Sequence, residues 1–574
     1  MKKIITAFAL MATVLTPAHA APRNPSWLSH AVFYQIYPSS FMDSNDDGIG
    51  DLRGIQSRLG YLKQLGITAI WLNPIFESGW FDGGYDVIDF YKVDPRFGSN
   101  SDLVSLVSAA HAEGLKVCLD LVAGHTSNRC AWFQQSATGG ADDRYADYYI
   151  WTDTISPKDQ QDIVARHQAP NPLSSTTGKY VEADAKRGKY YLKNYFECQP
   201  ALNYGYAHPN PAHPWEQAVD APGPQAVRRE LRNIMAFWFD KGVDGFRVDL
   251  ASSLVKEDPD KEAVMALWHE MRQWKDQHYP DRVLISEWAN PPKAIAAGFD
   301  IDFMIQFGIP GYGSLFFDPD TPWGKRLTKR TGKATPCYFD RAGRGSIKEF
   351  VDNYSNSYNK TKDLGYIAIP TANHDFQRPN IGTRCTTDQL KVAMTFFLTM
   401  PGVPLIYYGD EIGMRYQEGL PSKEGSNDRG GSRTPMQWLP GPTAGFSSCE
   451  PAQLYLPVAT DGGRLTVAAE ENDPQSLLRY TQALIALRQH TPALANDGDW
   501  QLVSDVNRPY PMVYRRTTGT QQVIVALNPS GRKVSAPLAV EGQPRELLRT
   551  GRCRLGHDRL VLGPCSAVVI AVSF

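Results

Sequence analysis

Short apolar runs alternate with amphipathic stretches over most of the 574-residue chain. The amphipathic stretches, such as residues 102–113 and 225–239, repeat their apolar positions at helical spacing, whereas the apolar runs are typical of buried parallel strands. Strands that alternate with helices in this way indicate an α/β fold of βα units, and eight such units close into a TIM barrel. The predicted strands are residues 32–36, 69–72, 116–122, 245–250, 283–287, 302–306, 366–370 and 405–408.

The interval between the third and the fourth predicted strand is too long for a simple βα connection. Residues 124–206 in this interval are rich in Gly, Pro, Asn, Asp and Tyr. Since a structureless loop of this length is uncommon in a compact domain, we predict an inserted subdomain beside the strand ends. The barrel then consists of two parts, residues 21–123 and 207–496.

A different pattern follows the last predicted helix, residues 477–488. Two strand-like runs, residues 523–528 and 560–572, are separated by Gly, Pro and Asp. Runs of strand with turn residues between them, and with no intervening helix, favour antiparallel pairing. We therefore predict a C-terminal antiparallel β-sandwich domain over residues 497–574.

The N-terminus has the composition of an export signal. Lys2 and Lys3 supply the positive end, residues 4–15 are mostly apolar, and Ala18-His19-Ala20 fits a cleavage site of small residues. The apolar run is too short to cross a bilayer, and no later run approaches the ~20 apolar residues that a span needs. These features predict a signal peptide over residues 1–20 and a periplasmic or secreted protein without a membrane span.

Composition narrows the class of partner. A formal net charge of -2 leaves no basic surplus to neutralise phosphates, so nucleic acid is not an expected partner. The 13 Trp and 27 Tyr residues have flat apolar faces with a polar tip, which suit the faces of sugar rings.

Eight cysteines in an exported chain permit disulfides. Cys553 and Cys565 flank a short segment and could close a hairpin, and Cys130 and Cys198 share one irregular region. These are the two candidate pairs, although spacing alone leaves the connectivity open. Cys118 lies inside an apolar strand pattern and is expected to be a buried free thiol.

Polar side chains are concentrated where the predicted strands end. Parallel strands of a barrel end on one face, so such side chains are expected to share one pocket. Three carboxylates, an arginine and two histidines in one pocket would be a reactive group of residues. They are His125, Arg247, Asp249, Glu287, His374 and Asp375.

Two of these strand ends carry specific motifs, Gly-Phe-Arg-Val-Asp at residues 245–249 and Asn-His-Asp at 373–375. Together with His125 and Glu287, they resemble the conserved regions of the α-amylase family of glycoside hydrolases, in the same order and on the matching strands. The resemblance covers the whole chain after the signal, including the insertion and the C-terminal domain. In its motifs the chain is most similar to the branch of oligo-1,6-glucosidases, α-glucosidases and trehalose synthases.

The resemblance implies roles for the carboxylates. Asp249 matches the family's nucleophile and Glu287 its acid/base, two groups that lie about 5–5.5 Å apart in a retaining glycosidase. Arg247 lies two residues before Asp249 on the same strand, points to the same face and would keep Asp249 ionised. Asp375 matches the third carboxylate, which binds the sugar's 2- and 3-hydroxyls.

His125 and His374 match family histidines that donate hydrogen bonds to sugar hydroxyls. The residue before His125 is Gly124, where the family usually has an Asn. In many amylases that Asn binds a calcium ion between the barrel and the inserted domain. The glycine therefore argues against that calcium site here, and it bears on how His125 is held.

A different ion site is indicated by the loop after the first strand, residues 43–51, which read Asp-Ser-Asn-Asp-Asp-Gly-Ile-Gly-Asp. Oxygen-bearing side chains alternate along this loop, and alternating oxygen ligands on a tight turn are how proteins wrap calcium. The same loop occurs in the family branch named above, so we predict a structural Ca²⁺. The predicted ligands are the side chains of Asp43, Asn45, Asp47 and Asp51 and the carbonyl of Ile49.

Two further features bear on the substrate. Residues 82–86, Asp-Gly-Gly-Tyr-Asp, resemble a segment of exo-acting members, in which Tyr85 would stack on the glucose and Asp82 would cap its 4-hydroxyl. Arg433 resembles an arginine that helps to close the same pocket. The resemblance thus implies an exo-acting, retaining α-glucosidase on α-1,4 or α-1,6 linked glucose oligosaccharides.

Other activities on the same scaffold stay open at this point. A transglucosylase or isomerase shares the covalent intermediate, and an endo-acting α-amylase shares the catalytic residues. A non-catalytic, transporter-associated relative is excluded by the intact carboxylates. In the family branch named above, the residue after the nucleophile helps to select the linkage. Here that residue is Leu250, which is compatible with an α-1,6 preference without establishing it. The oligomeric state does not follow from the sequence.

Overall fold

The computed structural model of the protein describes residues 24–169, 175–304, 310–420, 423–424, 429–459 and 464–573. The predicted signal peptide, residues 1–20, lies outside the described residues, as does Gln306 at the end of the sixth predicted strand. No helix within the described ranges is both long enough and apolar enough to cross a membrane.

The structure alternates strands and helices until residue 490 and then continues as strands. In chain order the strands are β1 Phe33–Ile36, β2 Ala69–Leu72, β3 Phe76–Ser78, β4 Val87–Val93, β5 Lys116–Leu121, β6 Trp151–Thr152, β7 Tyr180–Ala185, β8 Gly188–Leu192, β9 Gly245–Val248, β10 Val283–Ser286, β11 Ile301–Phe303, β12 Tyr366–Pro370, β13 Val403–Tyr407, β14 Asp499–Leu502, β15 Met512–Thr518, β16 Gln521–Asn528, β17 Val534–Pro537, β18 Gln543–Thr550, β19 Cys553–Leu555, β20 Arg559–Leu562 and β21 Ser566–Ser573.

The α-helices pack around the barrel, within the insertion and against the C-terminal domain. They are α1 Leu52–Ser57, α2 Leu59–Leu65, α3 Asn100–Ala112, α4 Ala131–Thr138, α5 Pro157–His167, α6 Pro222–Phe239, α7 Glu262–His278, α8 Pro291–Ala297, α9 Pro310–Phe316, α10 Pro322–Thr331, α11 Lys348–Thr361, α12 Thr387–Thr399, α13 Val467–Asn472 and α14 Leu477–His490.

Eight parallel strands close into a barrel in the order β1, β2, β5, β9, β10, β11, β12 and β13, and β13 pairs back onto β1. Each corresponds to one of the predicted apolar runs, with boundaries that differ by a few residues, so the predicted TIM barrel is confirmed. The strands are buried on both faces because helices cover the outside and apolar side chains fill the inside.

A two-stranded hairpin that the apolar pattern did not predict follows β2. Strand β3 pairs antiparallel with β4, and the loop between them contains Gly83 and Gly84 at φ +58° and +100°. Residues with a Cβ seldom adopt this left-handed backbone, so the glycines allow the sharp turn. The turn brings Tyr85 over the strand ends, with its hydroxyl 3.0 Å from Asp120 at the end of β5.

Between β5 and β9 the chain forms the predicted insertion, which contains α4, α5 and the three-stranded sheet β6–β8–β7. Backbone pairing ties this insertion to the barrel, because His125 bridges Ala201 and the Leu202 N–H donates to the Gly124 carbonyl at 3.0 Å. One side of the strand-end face is therefore built by the insertion.

The C-terminal domain is antiparallel, as predicted. A five-stranded sheet, β14–β15–β16–β21–β18, shares one apolar core with the three-stranded sheet β17–β20–β19. The predicted run 560–572 is two strands in different sheets, β20 and β21. They are separated because Pro564 has no N–H and Cys565 adopts φ +45°.

The predicted disulfides are wrong. The Cys565 Sγ lies 3.7 Å from the Pro529 carbonyl and 3.8 Å from the Ser530 carbonyl. Cys118 is a buried free thiol in the barrel interior, as expected. Free thiols stand at both candidate pairs, Cys130 with Cys198 and Cys553 with Cys565.

Candidate active site

Three barrel strands end around one buried guanidinium, that of Arg247 on β9. Its Nη1 lies 2.9 Å from Asp120 Oδ1 and 3.1 Å from Asp249 Oδ1, and its Nη2 lies 2.7 Å from Glu287 Oε2. Arg247 is 3% exposed, so water screens its charge weakly. The barrel thus brings Arg247, Asp249 and Glu287 together as expected, and adds Asp120, which the sequence analysis did not assign to the site.

Asp249 and Glu287 differ in acidity although both are buried. Burial raises the pKa of Asp249 to about 6, against the opposing charge of Arg247. Burial also raises the pKa of Glu287 to about 8; Arg247 opposes this shift, and the Asp249 carboxylate adds to it. At neutral pH Glu287 is therefore protonated and Asp249 ionised, the division of states that acid catalysis beside a nucleophile needs.

The Glu287 carboxylate and the residues on either side of Glu287 are each held by a hydrogen-bond partner. The Leu250 N–H donates to Glu287 Oε2 at 3.0 Å, from a residue at φ +44° that sits in the left-handed region. On the other side Asp302 of β11 accepts from the Ser286 hydroxyl at 2.6 Å and the Trp288 N–H at 3.1 Å. Asp302 was not identified from the sequence as a site residue. Its only signal was a carboxylate within an apolar strand pattern.

His374 takes part in a chain of hydrogen bonds below the pocket. Its Nδ1 accepts from Gln35 Nε2 at 3.0 Å and Asn73 Nδ2 at 3.2 Å, so in the neutral ring Nε2 carries the proton. That N–H donates to the Tyr85 hydroxyl at 2.8 Å, which donates to Asp120 Oδ2 at 3.0 Å. Burial holds the pKa of His374 well below its ordinary value, so the ring is neutral.

Two arginines approach Asp375 in different ways. Arg433 Nε donates to the His374 carbonyl at 2.7 Å, and its Nη2 lies 3.3 Å from Asp375 Oδ1. Arg429 Nη1 lies 3.3 Å from Asp375 and 3.6 Å from Asp82. Burial raises the pKa of Asp375, but the charges of Arg429 and Arg433 outweigh it and leave that pKa well below its usual range. Asp375 is therefore ionised.

Arg429 is a pocket residue that the sequence analysis missed. It lines the cavity, whereas Arg433 lies against Tyr37, with 3.3 Å from its Nη1 to the hydroxyl. The two arginines stand four positions apart in one polar segment. Nothing in the chain alone indicates which of them faces the pocket, because that depends on how the segment packs.

Asp82 offers an unused oxygen to the pocket. Its Oδ2 accepts from Gln199 Nε2 at 2.9 Å, while the buried Oδ1 has no hydrogen-bond partner among the described residues. Burial raises the pKa of Asp82, and the charge of Arg429 opposes the shift. The nearest cationic atom to Oδ1 is Arg429 Nη1 at 3.6 Å, beyond hydrogen-bond distance. A buried acceptor without a hydrogen bond is costly, so this oxygen is suited to a hydroxyl of a bound molecule.

His125 lines the cavity and makes two hydrogen bonds within the protein. Its Nε2–H donates to the Tyr85 carbonyl at 2.8 Å, and its Nδ1 accepts from Asn194 Nδ2 at 2.8 Å. Both ring nitrogens have protein partners, and the contact of His125 with a sugar hydroxyl stays a prediction. Asn194, in the insertion, carried no signal in the sequence.

These side chains surround a cavity of about 200 Å³ at the strand ends. Its wall combines aromatic and aliphatic surface with a few convergent charged groups, which is typical of small-molecule sites. The lining residues are Asp82, Tyr85, His125, Tyr195, Asp249, Leu250, Glu287, Asp375 and Arg429.

The loop at residues 43–51 folds back on its own side chains. Asp43 accepts three backbone N–H groups of the loop at 2.8–2.9 Å, and the side chains of Asn45 and Asp47 meet at 3.1 Å. Asp51 caps α1. A carboxylate has about four lone-pair sites, so this oxygen-only set retains capacity for a hard cation. Within the described ranges, no three His, Cys, Asp or Glu side chains are arranged to hold a metal, and calcium stays a prediction.

The structure is an eight-stranded parallel barrel whose strand ends hold a protonated and an ionised carboxylate against one arginine. This arrangement defines the class of barrel glycoside hydrolases. Residues 35–497 match the family model described as the alpha amylase catalytic domain. The chain belongs to the α-amylase family of glycoside hydrolases, as its motifs indicated.

Relatives of known activity are similar along most of the chain. The trehalose synthase/amylase of Mycobacterium tuberculosis is 33% identical over 83% of this chain and 78% of its own length. The oligo-1,6-glucosidase of Heyndrickxia coagulans is 32% identical over 89% of this chain and 93% of its own. The structure of a Bacillus licheniformis trehalose-6-phosphate hydrolase superposes with a TM-score of 0.76 at 26% identity, covering 96% of this chain and 100% of that one.

Proposed function

We propose that the protein is a retaining, exo-acting α-glucosidase, which hydrolyses α-1,4 or α-1,6 linked glucose oligosaccharides through a covalent glucosyl-enzyme intermediate. The observation that carries the proposal is the pair Asp249 and Glu287. One is ionised and the other protonated at neutral pH, and both lie on the Arg247 guanidinium beside the cavity at the strand ends.

The reaction follows from these states. Glu287 gives its proton to the glycosidic oxygen while Asp249 attacks the anomeric carbon, so the leaving sugar departs as an alcohol and a glucosyl ester forms. Glu287, now a carboxylate, takes a proton from water, and that water oxygen displaces Asp249. Glucose leaves with the α configuration and both side chains return to their first states.

The shared guanidinium supports retention rather than inversion. Asp249 Oδ1 lies 3.1 Å from Arg247 Nη1, and Glu287 Oε2 lies 2.7 Å from Nη2 of the same guanidinium. An inverting enzyme keeps its carboxyls about 6.5–9.5 Å apart to admit a water molecule on the far side of the sugar. The close pair favours a direct attack by Asp249.

Asp82 and Arg429 support exo action, since they stand together at the cavity wall. The unused Oδ1 of Asp82 would accept the 4-hydroxyl of a terminal glucose. A chain extended at that position has no such hydroxyl, and Asp82 Oδ1 would remain buried without a hydrogen bond, with only the 3.6 Å ion pair to Arg429, at a cost of about 1–3 kcal/mol.

Product analysis tests the proposal. With maltotriose and isomaltotriose we expect glucose as the first product, released as the α-anomer by NMR, and no cleavage when the non-reducing end is chemically blocked. Release of β-glucose would refute retention. A rapid loss of starch viscosity with larger fragments as first products would instead support an endo-acting α-amylase.

A second candidate is intramolecular transfer, in which the released sugar re-attacks the glucosyl ester at another hydroxyl. It is favoured by the similarity to the Mycobacterium tuberculosis enzyme, which is named a trehalose synthase/amylase. Chromatography of the products from maltose and from sucrose separates the two, because hydrolysis releases free glucose in step with substrate loss, whereas transfer conserves disaccharide.

The loop at residues 43–51 supports the further proposal of a structural calcium ion. Asp43, Asn45, Asp47 and Asp51 would hold it together with the Ile49 carbonyl, and the ion would supply charge neutralisation on a loop rich in carboxylates.

Residues 1–20 support the proposal that the enzyme is exported to the periplasm or beyond, where oligosaccharides reach it.

A further inference from the structure

We propose that Asp302 is a positioning residue for acid catalysis, which orients Glu287 by binding the residues directly before and after it, Ser286 and Trp288. The proposal rests on the α-glucosidase function above and deepens it. It assigns the accuracy of proton donation, rather than the proton itself, to a carboxylate on the neighbouring strand β11. The effect of Asp302 is therefore limited to substrates whose leaving group needs a proton.

The place of Asp302 follows from the register of two strands. Asp302 on β11 is the partner of Ser286 on β10, and both residues are fully buried. The Asp302 Oδ1 accepts from the Ser286 hydroxyl at 2.6 Å and from the Trp288 N–H at 3.1 Å, and its Oδ2 accepts from the Asn290 N–H at 2.9 Å. One side chain thus holds the chain on both sides of Glu287.

The donors around Asp302 require a carboxylate at this position. All three partners donate, and an ionised carboxylate offers acceptors only. The amide of an asparagine would turn its NH₂ group toward at least one of these donors, and a buried donor left without an acceptor is costly. Asp302→Asn therefore keeps the volume of the side chain and breaks its grip on the end of β10.

The turn after Glu287 needs this support. Ala289 adopts φ +57°, in the left-handed region that residues with a Cβ seldom occupy. Strain of this kind persists only where the surrounding structure holds it in place. Asp302 binds the N–H groups on both sides of Ala289, those of Trp288 and Asn290. Without these bonds the turn would relax and Glu287 would shift with it.

A shift of Glu287 matters because its own side-chain contacts leave one direction open. Arg247 at 2.7 Å and the Leu250 N–H at 3.0 Å both engage Oε2, so the direction of Oε1 depends on where the backbone places the side chain. A general acid must lie within hydrogen-bond reach of the atom that it protonates. A misplacement of ~1 Å can lower the rate by about 10²-fold.

A leaving-group series tests the proposal, with maltose, phenyl α-glucoside and p-nitrophenyl α-glucoside as substrates. Asp302→Asn should lower kcat/KM on maltose by about 10- to 100-fold, and the first-step rate on p-nitrophenyl α-glucoside by less than about threefold. Phenyl α-glucoside should fall between the two. An equal loss on all three substrates would overturn the proposal, because a misplaced acid does not slow a step that needs no acid.

Asp300 provides the matched control, since it is equally buried and lies two positions earlier. Its Oδ2 accepts the Leu284 N–H of β10 at 2.8 Å, and its Oδ1 pairs with Arg272 at 2.8 Å. Asp300→Asn should lower the melting temperature, and any loss of activity should be the same factor for every leaving group. A dependence on the leaving group as steep as that of Asp302→Asn would show a general effect of a weakened barrel and overturn the proposal.

Ser286→Ala decides the matter even where Asp302→Asn does not fold, because it removes one donor and no charge. We expect a loss of about threefold to tenfold in kcat/KM on maltose, the effect of one buried hydrogen bond, and none on p-nitrophenyl α-glucoside. An unchanged rate on maltose, or an equal loss on both substrates, would overturn the proposal.

Glu287→Gln separates this result from a failure of the proposed function. If the loss in Glu287→Gln did not depend on the leaving group, the acid role of Glu287 would fail, and the proposed function with it. A clear dependence in Glu287→Gln that is absent from both Asp302→Asn and Ser286→Ala would overturn only the role of Asp302.

Discussion

The floor and the wall of the pocket are built in different ways. The floor consists of Asp120, Arg247, Asp249 and Glu287 at the ends of neighbouring parallel strands, held by one guanidinium. The wall consists of Asp82, Arg429 and Tyr195, which come from a hairpin loop, a late segment and the insertion. Strand geometry sets the floor, whereas the wall depends on the mutual packing of three loops.

This difference separates chemistry from selectivity. Parallel strands place their ends on one face of the barrel whatever the loops do, so the reacting carboxylates are insensitive to loop changes. Loops can vary without disturbing the barrel, and they decide which molecule fits. Changes to the floor should therefore lower turnover for every substrate, while changes to the wall should alter the choice of substrate.

The nucleophile of the floor gives the largest expected effect. Asp249→Asn removes the negative charge that attacks the anomeric carbon, so kcat should fall by about 10⁴-fold or more on every α-glucoside. Circular dichroism and a thermal melt should show an intact fold. Near-normal turnover of the pure variant would contradict the assignment of Asp249.

The acid of the floor should respond to the leaving group. Glu287→Gln should lower kcat/KM on maltose by about 10²–10⁴-fold, because the departing sugar then lacks a proton donor. A p-nitrophenyl leaving group needs no proton, and its cleavage to the glucosyl-enzyme should fall less than about tenfold. The first-step rate is measured by stopped-flow release of p-nitrophenol. Equal losses on both substrates would rule out this role for Glu287.

The wall is tested by comparing Arg429, which lines the cavity, with Arg433, which lies against Tyr37. Arg429→Gln should lower kcat/KM by about 10- to 100-fold, because Asp375 and Asp82 lose a charged partner at 3.3 and 3.6 Å. The melting temperature should change little, since Arg429 lies at the cavity. Arg433→Gln should lower the melting temperature more than Arg429→Gln does, because the buried Arg433 side chain donates to the His374 carbonyl. The reverse pattern of melting temperatures would contradict the distinction.

The pH profile sharpens the description of the floor. The pKa of Asp249 is about 6, so kcat/KM should fall as the pH drops below that value and the nucleophile becomes protonated. The pKa of Glu287 is about 8, so activity should fall as the pH rises past that value and the acid loses its proton. Each limb loses about tenfold per pH unit. In Glu287→Gln the upper limb should disappear, and its persistence would point to another group.

The smallest effect is expected outside both regions, at the loop of residues 43–51. A calcium ion that binds only the folded state stabilises it by about 2.7 kcal/mol at a 100-fold excess over Kd. Removal with a chelator should lower the melting temperature by a few degrees and leave the kcat of the folded enzyme unchanged. Asp43→Asn should abolish this sensitivity to chelator. An unchanged melting temperature in the wild type would end the proposal of calcium at this loop.

The sequence by itself determined the barrel and the floor apart from Asp120. Apolar runs of the right length alternate with helical patterns, and the residues that follow them, such as Asp249 and Glu287, can be placed because a barrel strand has a known end and a known face. It also located the insertion and the C-terminal strands, since each lacks the alternating pattern. The split between β20 and β21 was missed because a Pro and one left-handed residue interrupt an otherwise continuous apolar run.

Only the tertiary structure decided the wall. Arg429 and Arg433 lie in the same polar segment, and no local pattern distinguishes them. Packing places the Arg429 side chain at the cavity and the Arg433 side chain against Tyr37. Likewise, Asn194 reaches His125 across 69 positions, through space that Gly124 leaves empty. Such contacts join loops whose positions depend on everything packed between them, so no local pattern of residues encodes them. The side-chain orientation at a strand end can be predicted from the local sequence, whereas the contacts of a loop are determined only when the whole chain has folded.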